Sequence, residues 1–145
     1  MRMRLSILVL LLASCGDLSP TGTAYVAFAT SDIAHGRIRS VDTSDAVDMP
    51  GVLAVWTAAD VAELPPTPGV PGLERPLLAK DKVRFVGDNV ALVVAETEEI
   101  AAQARDMIEV EYEDLPVQTD PRESMKPGAH QIHPDKPGNL IYKYH

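Results

Sequence analysis

Residues 82–95 read KVRFVGDNVALVVA, and this stretch decides the fold. Residues 82–86 alternate between polar and apolar side chains, which is typical of a strand with one buried face. Residues 89–95 form a nearly continuous apolar run, as expected of a strand that is covered on both faces. Gly87 and Asp88 lie between them, and glycine can adopt the positive φ that a tight turn requires. The stretch therefore predicts a pair of strands joined by a tight turn.

A helix and another strand follow directly. Thr97 is placed to cap the helix, since its hydroxyl can accept a hydrogen bond from a free backbone amide. The apolar side chains recur at helical spacing on one face, at Ile100, Ala104, Met107 and Ile108. The period then changes to two, which predicts a strand with one buried face over residues 108–113. Its other face carries Glu109, Glu111 and Glu113, which we interpret as a solvated edge without catalytic carboxylates.

The remaining segments predict further short elements. Strands are expected at residues 25–30, 37–41 and 52–56, and a short helix is expected from a cap among residues 42–44 to Met49. A second helix is expected to begin at residues 57–60 and to end at Pro65 and Pro66, and residues 139–145 have the pattern of a strand. Residues 64–76 contain five prolines and two glycines, which favours a surface loop over a motif for a proline-binding partner. This order predicts one domain of the α/β or α+β class with a mixed β-sheet.

Composition excludes several classes of function. The chain has 145 residues, a formal net charge of -8 and no basic patch interleaved with aromatic residues, so nucleic-acid binding is disfavoured. The only cysteine is Cys15, which excludes an intramolecular disulfide and a cysteine-ligated iron-sulfur cluster in this chain. The excess of acidic residues is interpreted as a contribution to solubility.

The first 21 residues form a segment of their own. Arg2 and Arg4 precede an apolar run from Leu5 to Ala13, and Cys15 follows small residues, as in a bacterial lipoprotein signal. The run is too short to span a bilayer. Two interpretations stay open: a signal that places a lipid on Cys15, or an artefact of a misplaced start or a frameshift. We expect residues 1–21 to be this segment with a linker and residues 22–145 to be the folded domain.

The histidines are the residues most suited to chemistry, but none has a convincing partner set. His35 lies between Ala34 and Gly36 and is expected to be structural. His130 and His133 have a spacing that would bring two imidazoles together on a helix, but prolines bracket them and no third ligand is close, so a metal site is disfavoured. No GxGxxG, GxxxxGKS/T or GxSxG motif occurs. We assign no catalytic, cofactor-binding or metal-binding residue to the chain.

Taken in order, several short motifs resemble one family. They are residues 22–31 (GTAYVAFATS), 34–38 (AHGRI), 49–55 (MPGVLAV), 57–60 (TAAD), 79–88 (AKDKVRFVGD) and 110–116 (VEYEDLP). This series resembles the α/β hammerhead domain of the molybdenum hydroxylase family, which includes the large subunits of xanthine dehydrogenase, aldehyde oxidase and carbon monoxide dehydrogenase. Thr30, Asp32 and Asn89 depart from the family pattern, and they affect only local turns. The resemblance implies the α+β hammerhead fold.

The resemblance also implies the setting of the domain. The parent would be an oxidoreductase with a molybdenum-molybdopterin cofactor in the cytosine dinucleotide form, held by later domains of the large subunit. Iron-sulfur clusters would belong to a small subunit and FAD to a medium subunit, as in bacterial members. The hammerhead module would help to assemble and support the cofactor domains, and this chain alone is expected to be inactive.

The lipoprotein signal and the family resemblance lead to two hypotheses. The molybdenum cofactor is inserted into folded protein in the cytoplasm, whereas a lipoprotein signal exports an unfolded chain. The first hypothesis is a cytoplasmic N-terminal fragment of a large subunit, truncated at its C-terminal end, in which residues 1–21 are an artefact. The alternative is an exported binding or structural protein, anchored to the membrane through Cys15 and built on a stand-alone hammerhead domain.

Overall fold

The computed structural model describes residues 22–67, 75–141 and 143 of the chain. The N-terminal segment with Cys15, most of the proline-rich loop, Tyr142, Tyr144 and His145 lie outside the described residues. The elements are β1 (Tyr25–Thr30), β2 (Gly36–Asp42), α1 (Ser44–Asp48), β3 (Val52–Thr57), β4 (Lys82–Val83), β5 (Asn89–Ala95), α2 (Glu98–Asp106), β6 (Glu109–Asp114) and α3 (Pro121–Ser124). A 3-10 turn, Pro137–Asn139, follows α3. The α+β class is confirmed.

The strands form two antiparallel sheets, so the expectation of one mixed sheet is wrong for the described residues. The first sheet has the order β1-β5-β3 and the second has the order β4-β2-β6. The reason lies in the connection through α2. This helix follows β5 in the first sheet and leads into β6 in the second sheet, so it does not return the chain to a parallel neighbour.

The expected pairing of residues 82–86 with residues 89–95 is also wrong. Only Lys82 and Val83 form a strand, and they pair with β2, whereas residues 89–95 form the central strand of the other sheet. Gly87, in the turn between them, has φ +94°. The backbone of this turn forms hydrogen bonds with Ser31. The Gly87 N–H donates to the Ser31 carbonyl (2.8 Å), and the Ser31 N–H donates to the Asp88 carbonyl (2.8 Å). These bonds hold the turn against the β1–β2 connection.

Each sheet contributes to a separate core cluster. In the first, Val93 of β5 packs with Ala46 of α1 and Ala104 of α2, and all three side chains are fully buried. In the second, Val83 of β4 and Val90 of β5 pack with Ala79. Because β5 supplies a residue to each cluster, it joins the two halves of the domain.

The local predictions for α2 and β6 are confirmed. The Thr97 hydroxyl accepts a hydrogen bond from the Ile100 N–H (3.2 Å), and the helix begins at Glu98. Its buried side chains are Ala101 and Ala104. In β6 the glutamates at 109, 111 and 113 are exposed, while the residues between them are half-buried. The expected solvated acidic edge is therefore present.

The expected helix at residues 57–65 is wrong. Residues 58–63 form turns, because the Asp60 carboxylate accepts hydrogen bonds from both the N–H (2.8 Å) and the hydroxyl (2.9 Å) of Thr57. The carboxylate thereby closes a local turn in place of a helix cap.

The expected strand at residues 139–145 is wrong for its described part. Asn139 belongs to the 3-10 turn and has φ +54°, which a strand does not allow. Leu140 and Ile141 are outside any regular element.

Candidate functional site

His35 is a buried polar side chain next to the second sheet, and it makes several polar contacts there. It lies directly before β2, and only 3% of its surface is exposed. Its Nδ1 is 2.8 Å from the Pro116 carbonyl oxygen, and its own carbonyl accepts from the Leu115 N–H (3.0 Å). The next residue is a closely packed glycine, since a Cβ on Gly36 would lie 2.3 Å from Cδ1 of Ile33 and 3.1 Å from the Glu113 carbonyl oxygen, and Ile33 would have to shift. The Ala34-His35-Gly36 motif therefore fits a histidine into a closely packed corner.

The protonation state of His35 follows from these contacts. A carbonyl oxygen only accepts hydrogen bonds, so Nδ1 carries the hydrogen and Nε2 of the neutral ring presents a lone pair. Nε2 is buried and has no hydrogen-bond partner among the residues that the structure describes. Burial lowers the pKa of His35, and the nearby Lys82, His130 and Arg84 lower it further against the opposing effect of the Pro116 hydrogen bond. His35 is thus a buried, neutral imidazole at neutral pH.

A segment without strands packs over His35 from the C-terminal side. We call residues 115–141 the C-terminal segment. Its His130 ring meets the His35 ring edge-on, with 5.3 Å between centroids and 67° between planes. The Lys82 ammonium of β4 donates to the Ile132 carbonyl (2.7 Å). The segment is therefore attached to the second sheet by polar contacts on both sides of His35.

Asn139 holds the C-terminal segment together. Its side-chain oxygen accepts from the Ile132 N–H (2.8 Å), and its side-chain nitrogen donates to the carbonyls of Ser124 and His130 (both 2.9 Å). Sequence reasoning missed this residue. The available signal was the Pro137-Gly138-Asn139 sequence, since asparagine is among the few residues that tolerate a positive φ.

The His130 and His133 pair is not arranged as a metal site. The two residues lie in irregular chain, and His130 faces His35 while burial and the Arg84 guanidinium lower the pKa of His133. Within residues 22–67 and 75–141, no group of three or more His, Cys, Asp or Glu side chains comes together to hold a metal ion.

A cavity of about 410 Å³ lies between the two sheets. Its lining residues are Phe28, Ala29, Thr30, Asp32, Arg105, Asp106, Ile108, Val110 and Tyr112. The Arg105 guanidinium is paired with the Asp106 carboxylate (2.7 Å). Burial raises the pKa of Tyr112, and Asp32 and Asp88 raise it further, so the phenol stays protonated at neutral pH. The cavity therefore carries no activated nucleophile and no imidazole base.

None of the described helices combines the length and apolar character needed to cross a membrane.

Comparison with known proteins identifies the domain. The family described as "Aldehyde oxidase and xanthine dehydrogenase, a/b hammerhead domain" matches residues 13–116. This range includes residues 13–21, so the start of the domain at residue 22 stays a prediction. The nicotine 6-hydroxylase large subunit of Paenarthrobacter nicotinovorans is 40% identical over 131 residues, which cover 84% of this chain and 16% of that protein. The carbon monoxide dehydrogenase large chain of Afipia carboxidovorans is 42% identical over 121 residues, which cover 82% of this chain and 15% of that protein.

The fold agrees with solved structures as well. Quinoline 2-oxidoreductase from Pseudomonas putida 86 matches with a TM-score of 0.77 and 41% identity, over 87% of this chain and 17% of that chain. This chain thus spans about one sixth of the length of these relatives. The family resemblance inferred from the sequence is confirmed. The chain belongs to the family of aldehyde oxidase and xanthine dehydrogenase a/b hammerhead domains.

Proposed function

We propose that this chain is the hammerhead module of a molybdopterin-dependent hydroxylase large subunit. In this role it supports the domains that hold the cofactor, and it contributes no catalytic residue. The observation that carries the supporting role is an incompletely covered apolar face on the first sheet. Such a face favours packing against further protein, since monomeric proteins rarely expose large apolar patches.

The open face can be traced through strand register. Val26 and Phe28 of β1 lie opposite Val94 and Leu92 of β5, so these four side chains share one face of the sheet. Val26 is 55% exposed and Phe28 is 36% exposed. We call these two residues and their neighbour Val94 the open face. The opposite face is covered by α1 and α2, whose buried alanines pack on Val93.

The cofactors of the proposed parent belong to other domains and subunits. Molybdopterin, in its cytosine dinucleotide form, would be bound by later domains of the large subunit, with iron-sulfur clusters on a small subunit and FAD on a medium subunit. The cavity between the sheets does not fit this cofactor. Its lining carries a net negative charge, because Arg105 pairs with Asp106 and Asp32 adds a further carboxylate, and this charge disfavours the cofactor's phosphate groups.

An exchange experiment tests the supporting role. Residues 22–141 would replace the matching segment in the carbon monoxide dehydrogenase large chain of Afipia carboxidovorans. We expect the chimera to retain most of its molybdenum per large subunit, measured by elemental analysis, because the two segments share fold and sequence. The control is the same exchange with the hammerhead segment of quinoline 2-oxidoreductase. If the control retains molybdenum and the chimera does not, the proposal is wrong.

The location of the chain is a separate proposal. We propose that the module acts in the cytoplasm, where molybdenum cofactor is inserted; the alternative is an exported lipoprotein anchored through Cys15. Expression in a bacterial host with a radiolabelled fatty acid distinguishes them. We expect no label that depends on Cys15, with Cys15→Ser as the matched control. Label on the native chain that disappears in Cys15→Ser would favour the membrane-anchored protein.

A further inference from the structure

Three contacts connect the C-terminal segment to the second sheet at His35. The Nδ1–H of His35 donates to the Pro116 carbonyl, its backbone carbonyl accepts from Leu115, and its ring packs on His130. Lys82 adds a fourth contact by donating to the Ile132 carbonyl. Three of these four contacts involve His35, and two of the three are made by its imidazole.

The attachment accommodates only the neutral ring. Protonation adds a hydrogen to Nε2, which is buried and meets no acceptor within the described part of the chain. A buried N–H without a partner is costly, and a buried charge without a counter-charge is more so. The protonated ring can regain solvent only if the chain packed over it moves away.

The charged groups around His35 also favour release of the C-terminal segment when the ring is protonated. The basic groups that act on the ring are Lys82 and Arg84, from β4 and the residue after it, and His130, from the C-terminal segment. On β2 itself Arg37 is the nearest cation in sequence. The carboxylates of β6 that pair in register with residues 36 and 37, those of Asp114 and Glu113, are exposed side chains.

We propose that His35 makes the C-terminal segment a pH-sensitive clamp, in which protonation of its imidazole releases residues 115–141 from β2 and β4. At neutral pH the clamp is closed on the neutral ring. As the pH falls through the ordinary titration range of histidine, His35 in the open state gains the proton that the closed clamp excludes. The remainder of the domain, which has its own core under α1 and α2, stays folded.

The direction of the pH effect on the clamp follows from the difference in proton binding between its closed and open states. The pKa of His35 is lowered from 6.5 in the closed state, mainly by burial, so the open state binds more protons as pH falls below 6.5. The closed state is therefore fully favoured above this pH and loses stability below it. His133, whose pKa is lowered in the same way, adds to the effect in the same direction.

Amide hydrogen exchange of the full chain tests the clamp. The reporter is the amide of Leu115, which donates to the His35 carbonyl. After correction for intrinsic rates, we expect its exchange to be faster at about pH 5.5 than at about pH 7.5, by up to about tenfold, which is the limit that one pH unit below 6.5 sets for a single histidine. The Val93 amide in β5 should not respond.

Two variants identify the responsible group. His35→Asn keeps an N–H donor for the Pro116 carbonyl but cannot titrate, so its exchange should depend much less on pH, and the response that is left should come from His133. His130→Phe keeps an aromatic ring against His35, so its exchange should still respond. An unchanged rate at Leu115 in the native chain, or an equal response in His35→Asn, would overturn the proposal. If His35→Asn does not fold, NMR titration of the native chain decides: loss of protection at the Leu115 amide that follows the His35 titration supports the clamp, and a His35 pKa at or above 6.5, or no change at Leu115, refutes it.

Discussion

Val93→Asp should prevent the domain from folding. Val93 is fully buried on β5, where it packs with Ala46 of α1 and Ala104 of α2. A carboxylate at this position would be surrounded by methyl groups and would have no cation to pair with. Burial of such a group costs several kcal/mol, roughly the whole stability of an ordinary small domain, which is about 5–15 kcal/mol.

Circular dichroism and urea unfolding provide the measurement. The matched control is Val26→Asp, because Val26 lies in the same sheet and is 55% exposed. We expect the control to change the free energy of unfolding by less than about 0.5 kcal/mol. If Val93→Asp unfolds cooperatively with the same urea midpoint as the native chain, the core is not arranged as described.

The second large effect concerns the open face. In the chimeric large chain, the double variant Val26→Asp and Phe28→Asp should lower molybdenum per subunit by at least about tenfold, which corresponds to a loss of about 1.4 kcal/mol in domain packing. The physical reason is that each new carboxylate would be desolvated if the cofactor domains pack on this face. The isolated chain should tolerate both changes, since both positions are exposed.

Val47→Asp is the control for this experiment. Val47 is also an apolar residue, 53% exposed, but it lies on α1, on the other side of the first sheet. We expect the molybdenum content of this chimera to match that of the unmodified chimera. Equal losses for both variants, or no loss for the double variant, would contradict the role of the open face.

Sequence reasoning succeeded where structure is local. The α2 helix and strand β6 were predicted with nearly correct bounds, because the Thr97 cap and the change of period from 3.6 to two act within a few residues. The helix expected after Thr57 does not form, although Thr57 and Asp60 have the spacing of a helix cap. There the Asp60 carboxylate bonds back to Thr57, and sequence spacing alone does not distinguish this turn from a helix start.

Pairing between distant residues was beyond sequence reasoning. Residues 82–86 and 89–95 have the pattern of a hairpin, but bonds from Gly87 and Asp88 to Ser31 direct the two strands into different sheets. The attachment of the C-terminal segment was missed for the same reason. It joins His35 to Pro116, 81 residues away, and no periodic pattern encodes such a contact. The structural role predicted for His35 nevertheless agrees with its burial.

The central claim is that this module supports a molybdenum enzyme without taking part in its chemistry. The most direct test is the carbon monoxide oxidation rate per bound molybdenum in the chimera, compared with the same chimera carrying His35→Asn and Tyr112→Phe. These are the buried imidazole and the cavity phenol, the two described groups most suited to proton transfer. We predict that the chimera and its variant have equal rates per bound molybdenum, even if the variant binds less of the metal. A rate per molybdenum that falls by about tenfold or more, at full substrate saturation, would contradict it.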